Sequence, residues 1–288
     1  MARVRIVCDS TADLEPGFRR AHDVRVVPLK VIFGDEVLED GETIRPDEFY
    51  RRMRESPVHP RTSQPAPGEF ETVFRDLTAD GSAVLCTTIS AELSGTYASA
   101  EQARAALPDA DIRVIDTRTV AVAHNAMVHA AVAAAEAGGG ADEAEAAVRR
   151  LIADLLVLFT VDTLEYLRRG GRIGGARALV GSVLDIKPIL EIRDGRIEPV
   201  DRARTLARAL DRMVGDVGKA AARWGGADVV VGHGDRPDEA ARLAERIRPL
   251  AGAGSVKVID VGPVIGCHAG PGVFGLGFAP LAPGSPAA

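Results

Sequence analysis

The sequence predicts an α/β fold of two domains, in which an N-terminal parallel-sheet α/β domain is followed by a C-terminal α+β domain. Through the first half, short apolar runs alternate with helical segments, which is typical of βαβ units and a parallel sheet. In the second half, Asp194-Gly195 separates two apolar runs and predicts a β-hairpin. The length of 288 residues suits two modest cores better than one large core.

The elements of the first half follow from the spacing of apolar residues. Buried strands are predicted at residues 4–8, 24–29, 82–90 and 112–116, and helices at 45–55, 70–79, 94–107 and 120–137. Pro46 suits the first turn of its helix, where no backbone N–H is needed. Residues 57–67 contain four prolines and are predicted to be irregular.

The elements that follow residue 140 predict a change of architecture. Asp142 is expected to cap a helix that ends near residue 156. Strands are predicted at 157–161, on both sides of the turn within 183–200, at 228–233 and at 256–262, and helices at 164–169, 205–217 and 237–250. No helix or strand is predicted in the glycine-rich segment 262–280. We place the domain boundary near residue 155, which gives domains 1–155 and 156–288.

Composition narrows the class of protein. Hydrophobic residues make up 46% of the chain but aromatic residues only 4%, so any cavity should have aliphatic walls. The net charge of −6 argues against a nucleic-acid binder. Three cysteines without a close pair fit a reducing compartment, and no segment resembles a signal peptide or a membrane span. We therefore expect a cytoplasmic protein without stable membrane insertion.

The first candidate site is the junction ISAELSGTY at residues 89–97. A buried strand ends there and Ser94-Gly95-Thr96 opens a helix, where free backbone N–H groups and the helix dipole favour an anion. Gly95 lets a ligand approach the backbone closely. The junction therefore suits a carboxylate or phosphate, although taken alone it is explained more simply by Ser94 acting as a plain helix cap.

Two further segments contain candidate binding residues. The stretch RTSQPAP at residues 61–67 holds Thr62 and Ser63 among prolines, so their hydroxyls can be presented with little loss of entropy; a rigid surface connection is the alternative. His268 lies between glycines, where it can bond a carboxylate or merely stabilise a tight turn. The arginines around LRRGGRIGGAR form either a solvated face or a patch for an acidic partner.

Several motifs that are typical of nucleotide-binding proteins, hydrolases and metalloproteases are missing from the sequence. It contains no GxxxxGK[ST] loop, strand-linked GxGxxG, GxSxG elbow or HExxH motif, so no nucleotide or other cofactor is predicted. Asp9 and Asp13 have a spacing that magnesium ligands can have, but capping of a turn explains them equally well. No metal is assigned.

The candidate segments, taken in order, resemble the DegV family. The matching stretches span nearly the whole chain: DSTADL at 9–14, TSQP at 62–65, LSGTY at 93–97, LEYLRRGGRI at 164–173, IKPIL at 186–190, RART at 202–205 and HAGPG at 268–272. The resemblance implies a bacterial protein that binds a long-chain fatty acid between its two domains and has no catalysis of its own. It also implies a partner, an ATP-dependent kinase subunit that converts the bound carboxylate to an acyl phosphate for phospholipid synthesis.

The resemblance also assigns roles to residues of this chain. The family's carboxylate-binding hydroxyls correspond to Thr62, Ser63 and Ser94, beside Gly95, and His268 would join their network. Arg172 and Arg202 match arginines that the family uses in docking the kinase. Residues 117–125, TRTVAVAHN, depart from the family, which usually has serine and glycines there. If Ala121, Ala123, His124 and Asn125 line the acyl cavity, the preferred chain length should differ.

Two other functions stay open. Ser94 as nucleophile and His268 as base would make a serine-dependent acyl hydrolase, although the sequence offers no acid to orient the histidine. A DNA-binding regulator is disfavoured by the charge and by the lack of a helix-turn-helix pattern.

Overall fold

The structure is a computed structural model and describes residues 3–180 and 186–281. Its strands are β1 (Val4–Asp9), β2 (Arg25–Val27), β3 (Lys30–Phe33), β4 (Glu36–Glu39), β5 (Arg61–Ser63), β6 (Ala83–Thr88), β7 (Ile112–Asp116), β8 (Leu156–Thr160), β9 (Lys187–Arg193), β10 (Arg196–Ala203), β11 (Ala227–His233), β12 (Val256–Asp260) and β13 (Phe274–Pro280). Its α-helices are α1 (Pro16–Ala21), α2 (Pro46–Glu55), α3 (Pro67–Thr78), α4 (Thr96–Ala105), α5 (Val122–Glu136), α6 (Ala141–Asp154), α7 (Glu165–Arg169), α8 (Leu206–Trp224), α9 (Pro237–Ala251) and α10 (Pro263–Ala269).

The N-terminal part is built on a parallel sheet with strand order β2-β1-β6-β7. Helices α5 and α6 pack on one face, against Leu85 and Ile115, and α3 and α4 pack on the other, against Val84 and Cys86. Strand β6 is buried along its whole length, as expected of a strand that is covered on both faces. The predicted parallel sheet is confirmed.

The C-terminal part is built on a mixed sheet with strand order β10-β9-β8-β13-β11-β12. Strands β11 and β12 are parallel, and the other neighbours are antiparallel. Helices α8 and α9 cover one face, and the start of α5 lies on the other. The predicted hairpin at Asp194-Gly195 joins β9 to β10, and residues 183–185 of that segment lie outside the described residues. The predicted fold class is confirmed.

A small antiparallel sheet, β4-β3-β5, packs on α2 and α10. Strand β5 shows that the prediction of an irregular stretch at residues 57–67 was wrong. Thr62 pairs with Val31 and Ser63 with Lys30, so the prolines flank a three-residue edge strand. An edge strand tolerates neighbouring prolines because only one side of it is bonded. This pairing fixes the position of Thr62.

The glycine-rich segment 262–280 forms α10 and β13, neither of which the sequence predicted. Strand β13 lies inside the mixed sheet, between β8 and β11. Glycine is depleted in strands, so its abundance here concealed a central strand. The consequence is that α10 and β13, in immediate succession, both face the cavity described below.

The N-terminal cap of α6 and the C-terminal end of α8 also differ from prediction. Helix α6 begins at Ala141 with Gly140 at the N-cap, so Asp142 lies in the first turn and is not the cap. Helix α8 continues to Trp224 and ends at Gly225, whose left-handed conformation is typical of a helix C-terminus. The helix therefore runs seven residues beyond the predicted end at residue 217.

The strands of the parallel sheet precede residue 117, and those of the mixed sheet follow residue 155. Helix α5 contacts both sheets through different side chains, Met127 and Val128 on one and Val122 on the other. The division into domains 1–155 and 156–288 stays a prediction. Within residues 3–180 and 186–281, no helix is long and apolar enough to cross a membrane.

Candidate functional site

A cavity of about 330 Å³ lies where the small sheet, the end of β6, the start of α5 and the mixed sheet meet. Its walls are mainly aliphatic and include Ile89, Val122 and Val264. Its polar lining consists of Thr62, Ser63, Gln64, Ser94, Arg172 and His268. Residues from both halves of the chain therefore enclose one largely apolar space with a polar portion.

Thr62 and His268 form the central contact of the polar portion. Thr62 Oγ1 lies 2.8 Å from His268 Nε2. Thr62 is placed by the pairing of β5 with β3, and His268 by α10, which packs beneath the same small sheet. The two predicted residues are thus brought together, and both line the cavity.

The surroundings of His268 favour its neutral form. Burial, reinforced by the nearby Arg172 and His59, lowers the pKa of His268 to about 4. Its Nδ1 atom has no hydrogen-bond partner among the described residues. A Cβ atom on Gly170 would lie 2.1 Å from Nδ1, so only glycine leaves room for the ring. A neutral imidazole can then bond Thr62 through Nε2.

Ser94 and Gly95 stand at the start of α4, as predicted. Ser94 Oγ lies 2.8 Å from Thr96 Oγ1 and accepts a hydrogen bond of 3.3 Å from the Thr96 backbone N–H, while Gly95 is the N-cap residue. A Cβ atom on Gly95 would lie 2.2 Å from Gln64 Oε1. Gln64 also donates a 3.2 Å hydrogen bond to Ser99. The TSQP and LSGTY segments therefore touch each other.

Ser63 has a weaker connection to this group than predicted. Its side chain lines the cavity, but the residue is exposed and its hydroxyl donates to the adjacent Gln64 carbonyl at 3.2 Å. A ligand at the polar portion would have to compete with this local bond. The structure thus brings together Thr62, His268, Ser94 and Gly95, with Gln64 as an additional contact that the sequence prediction did not assign.

The two predicted docking arginines have different positions. Arg172 lines the cavity and donates to the carbonyl oxygens of Leu93 at 3.0 Å and Gly170 at 2.7 Å. Arg202 is exposed on β10 and does not line the cavity. The neighbouring Arg168 and Arg169 pair with Glu165 on the surface of α7. Among these neighbours, Arg172 is the arginine aimed at the polar portion.

The condition that the unusual stretch 121–125 lines the cavity is met by Ala121 and Val122, but not by Ala123, His124 or Asn125. Ala121 lines the cavity, between Val120 and Val122. His124 instead lies buried between Thr11 Oγ1 at 3.3 Å and Thr87 Oγ1 at 3.0 Å. Helix α5 turns the later residues away from the cavity, and the Asn125 side chain donates to the backbone carbonyls of Ala12 and Asp13.

Asp9, one of the two acidic residues considered as magnesium ligands, has a structural role. Asp9 is buried, caps the short 3-10 helix Ser10–Ala12 and accepts hydrogen bonds from the backbone N–H groups of Thr11 and Ile89. Turn capping therefore accounts for Asp9. Across residues 3–180 and 186–281, no cluster of three or more His, Cys, Asp and Glu residues is arranged to hold a metal ion.

The geometry does not assemble a hydrolase. His268 Nε2 bonds Thr62 and not Ser94, and the Ser94 hydroxyl bonds Thr96. In the described part of the chain, no carboxylate contacts His268 Nδ1 to orient the ring. A serine nucleophile needs both an adjacent base and a group that orients this base.

The walls of the apolar portion were not predicted. Val157 and Phe159 come from β8, and Val273 and Gly275 from the end of the chain. The alternation of residues 157 and 159 on one face of a strand was a usable signal for a shared surface. The sequence did not show whether this face of the strand would line a cavity or pack against a helix.

Comparison with known protein families agrees with the sequence motifs. A family model described as "Uncharacterised protein, DegV family" matches residues 3–281. A DegV domain-containing protein of Streptomyces coelicolor is 42% identical over 278 residues, which cover 95% of this chain and 97% of that protein.

Solved structures agree with the fold and extend over equally long ranges. A fatty-acid-binding DegV family protein from Thermus thermophilus matches with a TM-score of 0.90 and 35% identity, over 97% of this chain and all (100%) of that one. A stearic-acid-binding protein from Eubacterium ventriosum matches with a TM-score of 0.88 and 31% identity, over 97% of this chain and 98% of that one. On the family model and on these relatives, the chain belongs to the DegV family.

Proposed function

We propose that the protein binds a long-chain fatty acid, with the carboxylate at the polar portion of the cavity and the hydrocarbon chain along its apolar walls. The main support for this proposal is the distribution of residues in the cavity lining. The polar side chains are grouped around Thr62, Ser94 and His268, and the other walls are mainly aliphatic. An amphiphile matches both parts. Each buried methylene contributes about 0.8 kcal/mol, so a chain of about 16 carbons supplies on the order of 10 kcal/mol before entropic costs.

The polar portion can satisfy a carboxylate that has left water, which needs several hydrogen-bond donors. The hydroxyls of Thr62, Ser63 and Ser94 supply such donors, and the N-terminus of α4 adds a favourable dipole. With hydrogen on Nε2, His268 donates to Thr62 Oγ1, which leaves the Thr62 proton for the ligand. The binding of fatty acid by the Thermus protein and of stearic acid by the Eubacterium protein supports the same assignment.

The protein further presents the bound carboxylate to a separate ATP-dependent kinase subunit and has no catalysis of its own. Arg172 supports this step because its guanidinium lies at the polar portion, where it can stabilise a carboxylate that becomes an acyl phosphate. Arg202 is exposed on β10, at a distance from the cavity lining, which suits contact with a protein partner better than contact with the lipid.

Mass spectrometry of the denatured, purified protein tests the binding step. We expect a fatty acid at close to one molecule per chain. Recovery of nucleic acid, or of no lipid from protein that also fails to bind added fatty acid, would contradict the proposal. The partner step is tested by adding the kinase subunit and ATP to the loaded protein and measuring acyl phosphate, which neither protein should form alone.

A further inference from the structure

Strand β13 presents bare glycines to the side of the mixed sheet that faces α5. Side chains alternate along a strand, and Phe274, Leu276 and Phe278 belong to the core beneath α8 and α9. Gly275 and Gly277 therefore lie on the opposite face, where both approach Val122 at the start of α5. At these two positions β13 contributes no side chain to this face of the sheet.

Two glycines on this face are required by helix packing. A Cβ atom on Gly232 of β11 would lie 2.6 Å from Val122 Cγ1, and one on Gly277 would lie 3.1 Å from Val122 Cγ2. The Val122 side chain thus rests directly on these two backbones. Larger residues there would push α5 away from the sheet, because a close-packed interior has no spare room.

Gly275 is not required by helix packing. A Cβ atom there would lie 3.7 Å from the nearer methyl groups of Val122 and 3.9 Å from Phe159 Cβ, which is ordinary van der Waals contact. Gly275 also pairs regularly with Gly232 and Phe159 in the sheet, so its backbone is one that other residues adopt. The missing side chain leaves space in the cavity, which Gly275 lines.

Gly275 is also the last residue along β13 that lines this cavity. Along β13 and the turn before it, Val273 and Gly275 line the cavity, whereas the next residue on that face, Gly277, is covered by Val122 and does not. In the other direction the chain leads back to α10 and His268 at the polar portion. A fatty acid anchored at His268 would therefore direct its methyl end toward Gly275.

We propose that Gly275 sets the depth of the acyl cavity and thereby selects the length of the hydrocarbon chain. This inference deepens the proposed function and rests on it. The bare backbone of Gly275 leaves room for terminal carbons that a side chain would displace, and Val122 forms the end wall. Each accommodated methylene changes the affinity by about fourfold.

The test compares delipidated wild type with Gly275→Ala, Gly275→Val and Val122→Ala for binding of saturated fatty acids of about 12 to about 18 carbons. Gly275→Val should shorten the best-bound chain by about two carbons and weaken the longest acid at least about tenfold, while the shortest acid binds as before. Gly275→Ala should cause a smaller shift in the same direction. Val122→Ala, which removes the end wall, should shift the preference to longer acids.

Leu276→Met provides the matched control, since Leu276 lies on the opposite face of the same strand and should leave the length profile unchanged. If wild type binds fatty acids and the Gly275 variants keep its length profile, the role of Gly275 is overturned while the proposed function stands. If wild type binds no fatty acid, both are overturned. Should Gly275→Val fail to fold, the opposite shifts of Gly275→Ala and Val122→Ala decide the question.

Discussion

Thr62 Oγ1 and His268 Nε2 lie 2.8 Å apart, although 206 positions separate the two residues in the chain. Thr62 is held by the edge strand β5, and His268 by α10, whose Val264 and Cys267 pack under the same small sheet. The two side chains hold each other in place through this contact, so little side-chain entropy should be lost when a carboxylate binds. Such preorganisation increases affinity without adding contacts.

Replacement of Thr62 by valine should weaken fatty-acid binding because it removes the hydroxyl and keeps the branched shape. A hydrogen bond to a charged group contributes about 1.5–3 kcal/mol, which corresponds to a loss of roughly 10- to 100-fold in affinity. Isothermal titration of delipidated protein measures the change. Thr62→Ser, which restores the donor, should bind within about threefold of wild type. Equal affinities for Thr62→Val and wild type would remove Thr62 from the site.

The polar portion of the site could be predicted because its chemistry lies in short segments. Ser94 and Gly95 follow a buried strand and open a helix, which is a local pattern, and the prolines around Thr62 are equally local. The residues alone did not show that these segments lie next to His268 in the folded protein. That contact depends on β5 joining a sheet whose formation the prolines concealed.

The apolar portion could not be predicted in the same way. Val122 and Phe159 have the residue types and the spacing of an ordinary core, and a side chain facing a cavity is indistinguishable in sequence from one facing a helix. Gly275 was hidden in a segment too rich in glycine to suggest a central strand. His124 lies two residues beyond the cavity-lining Val122 and is satisfied by two threonines, and its polarity alone did not show on which side of α5 it would lie.

Gly95→Ala should reduce fatty-acid affinity by displacing Gln64. The new Cβ would lie 2.2 Å from Gln64 Oε1, so that side chain must move and lose its bond to Ser99. Gly95 has ordinary right-handed backbone angles, and α4 itself should stay folded. We expect an affinity loss of about tenfold, consistent with perturbing one or two hydrogen bonds in the site.

A double-mutant cycle identifies the cause of the Gly95→Ala effect. In a Gln64→Ala background the clash is absent, so Gly95→Ala should change the affinity by less than about twofold. The same loss in both backgrounds would mean that the methyl group obstructs the ligand itself and not Gln64.

Arg172→Ala should separate binding from phosphorylation. Arg172 is an exposed residue, so its charge contributes little to affinity in water, and we expect fatty-acid binding within about threefold of wild type. Acyl phosphate formation by the added kinase subunit should fall at least about tenfold, since a fixed guanidinium suits a phosphoryl group. Arg202→Ala should likewise lower phosphorylation without affecting the lipid.

Arg169→Ala is the matched control for Arg172→Ala, because Arg169 pairs with Glu165 on the exposed face of α7. It should leave both binding and phosphorylation near wild type. Loss of the bound fatty acid in Arg172→Ala would instead place this arginine among the carboxylate ligands.

His268 should make the stability of the empty protein dependent on pH. Burial, with Arg172 and His59 nearby, lowers the pKa of His268 from 6.5 to about 4. Between these values the unfolded chain binds a proton that the folded protein does not, so the free energy of unfolding falls as the pH drops through this range and by at most about 3 kcal/mol. His268→Gln cannot titrate, so urea unfolding of both proteins should show wild type losing stability relative to the variant from pH 6.5 toward pH 4. A constant difference across that range would mean that His268 is protonated as readily in the folded protein as in the unfolded chain.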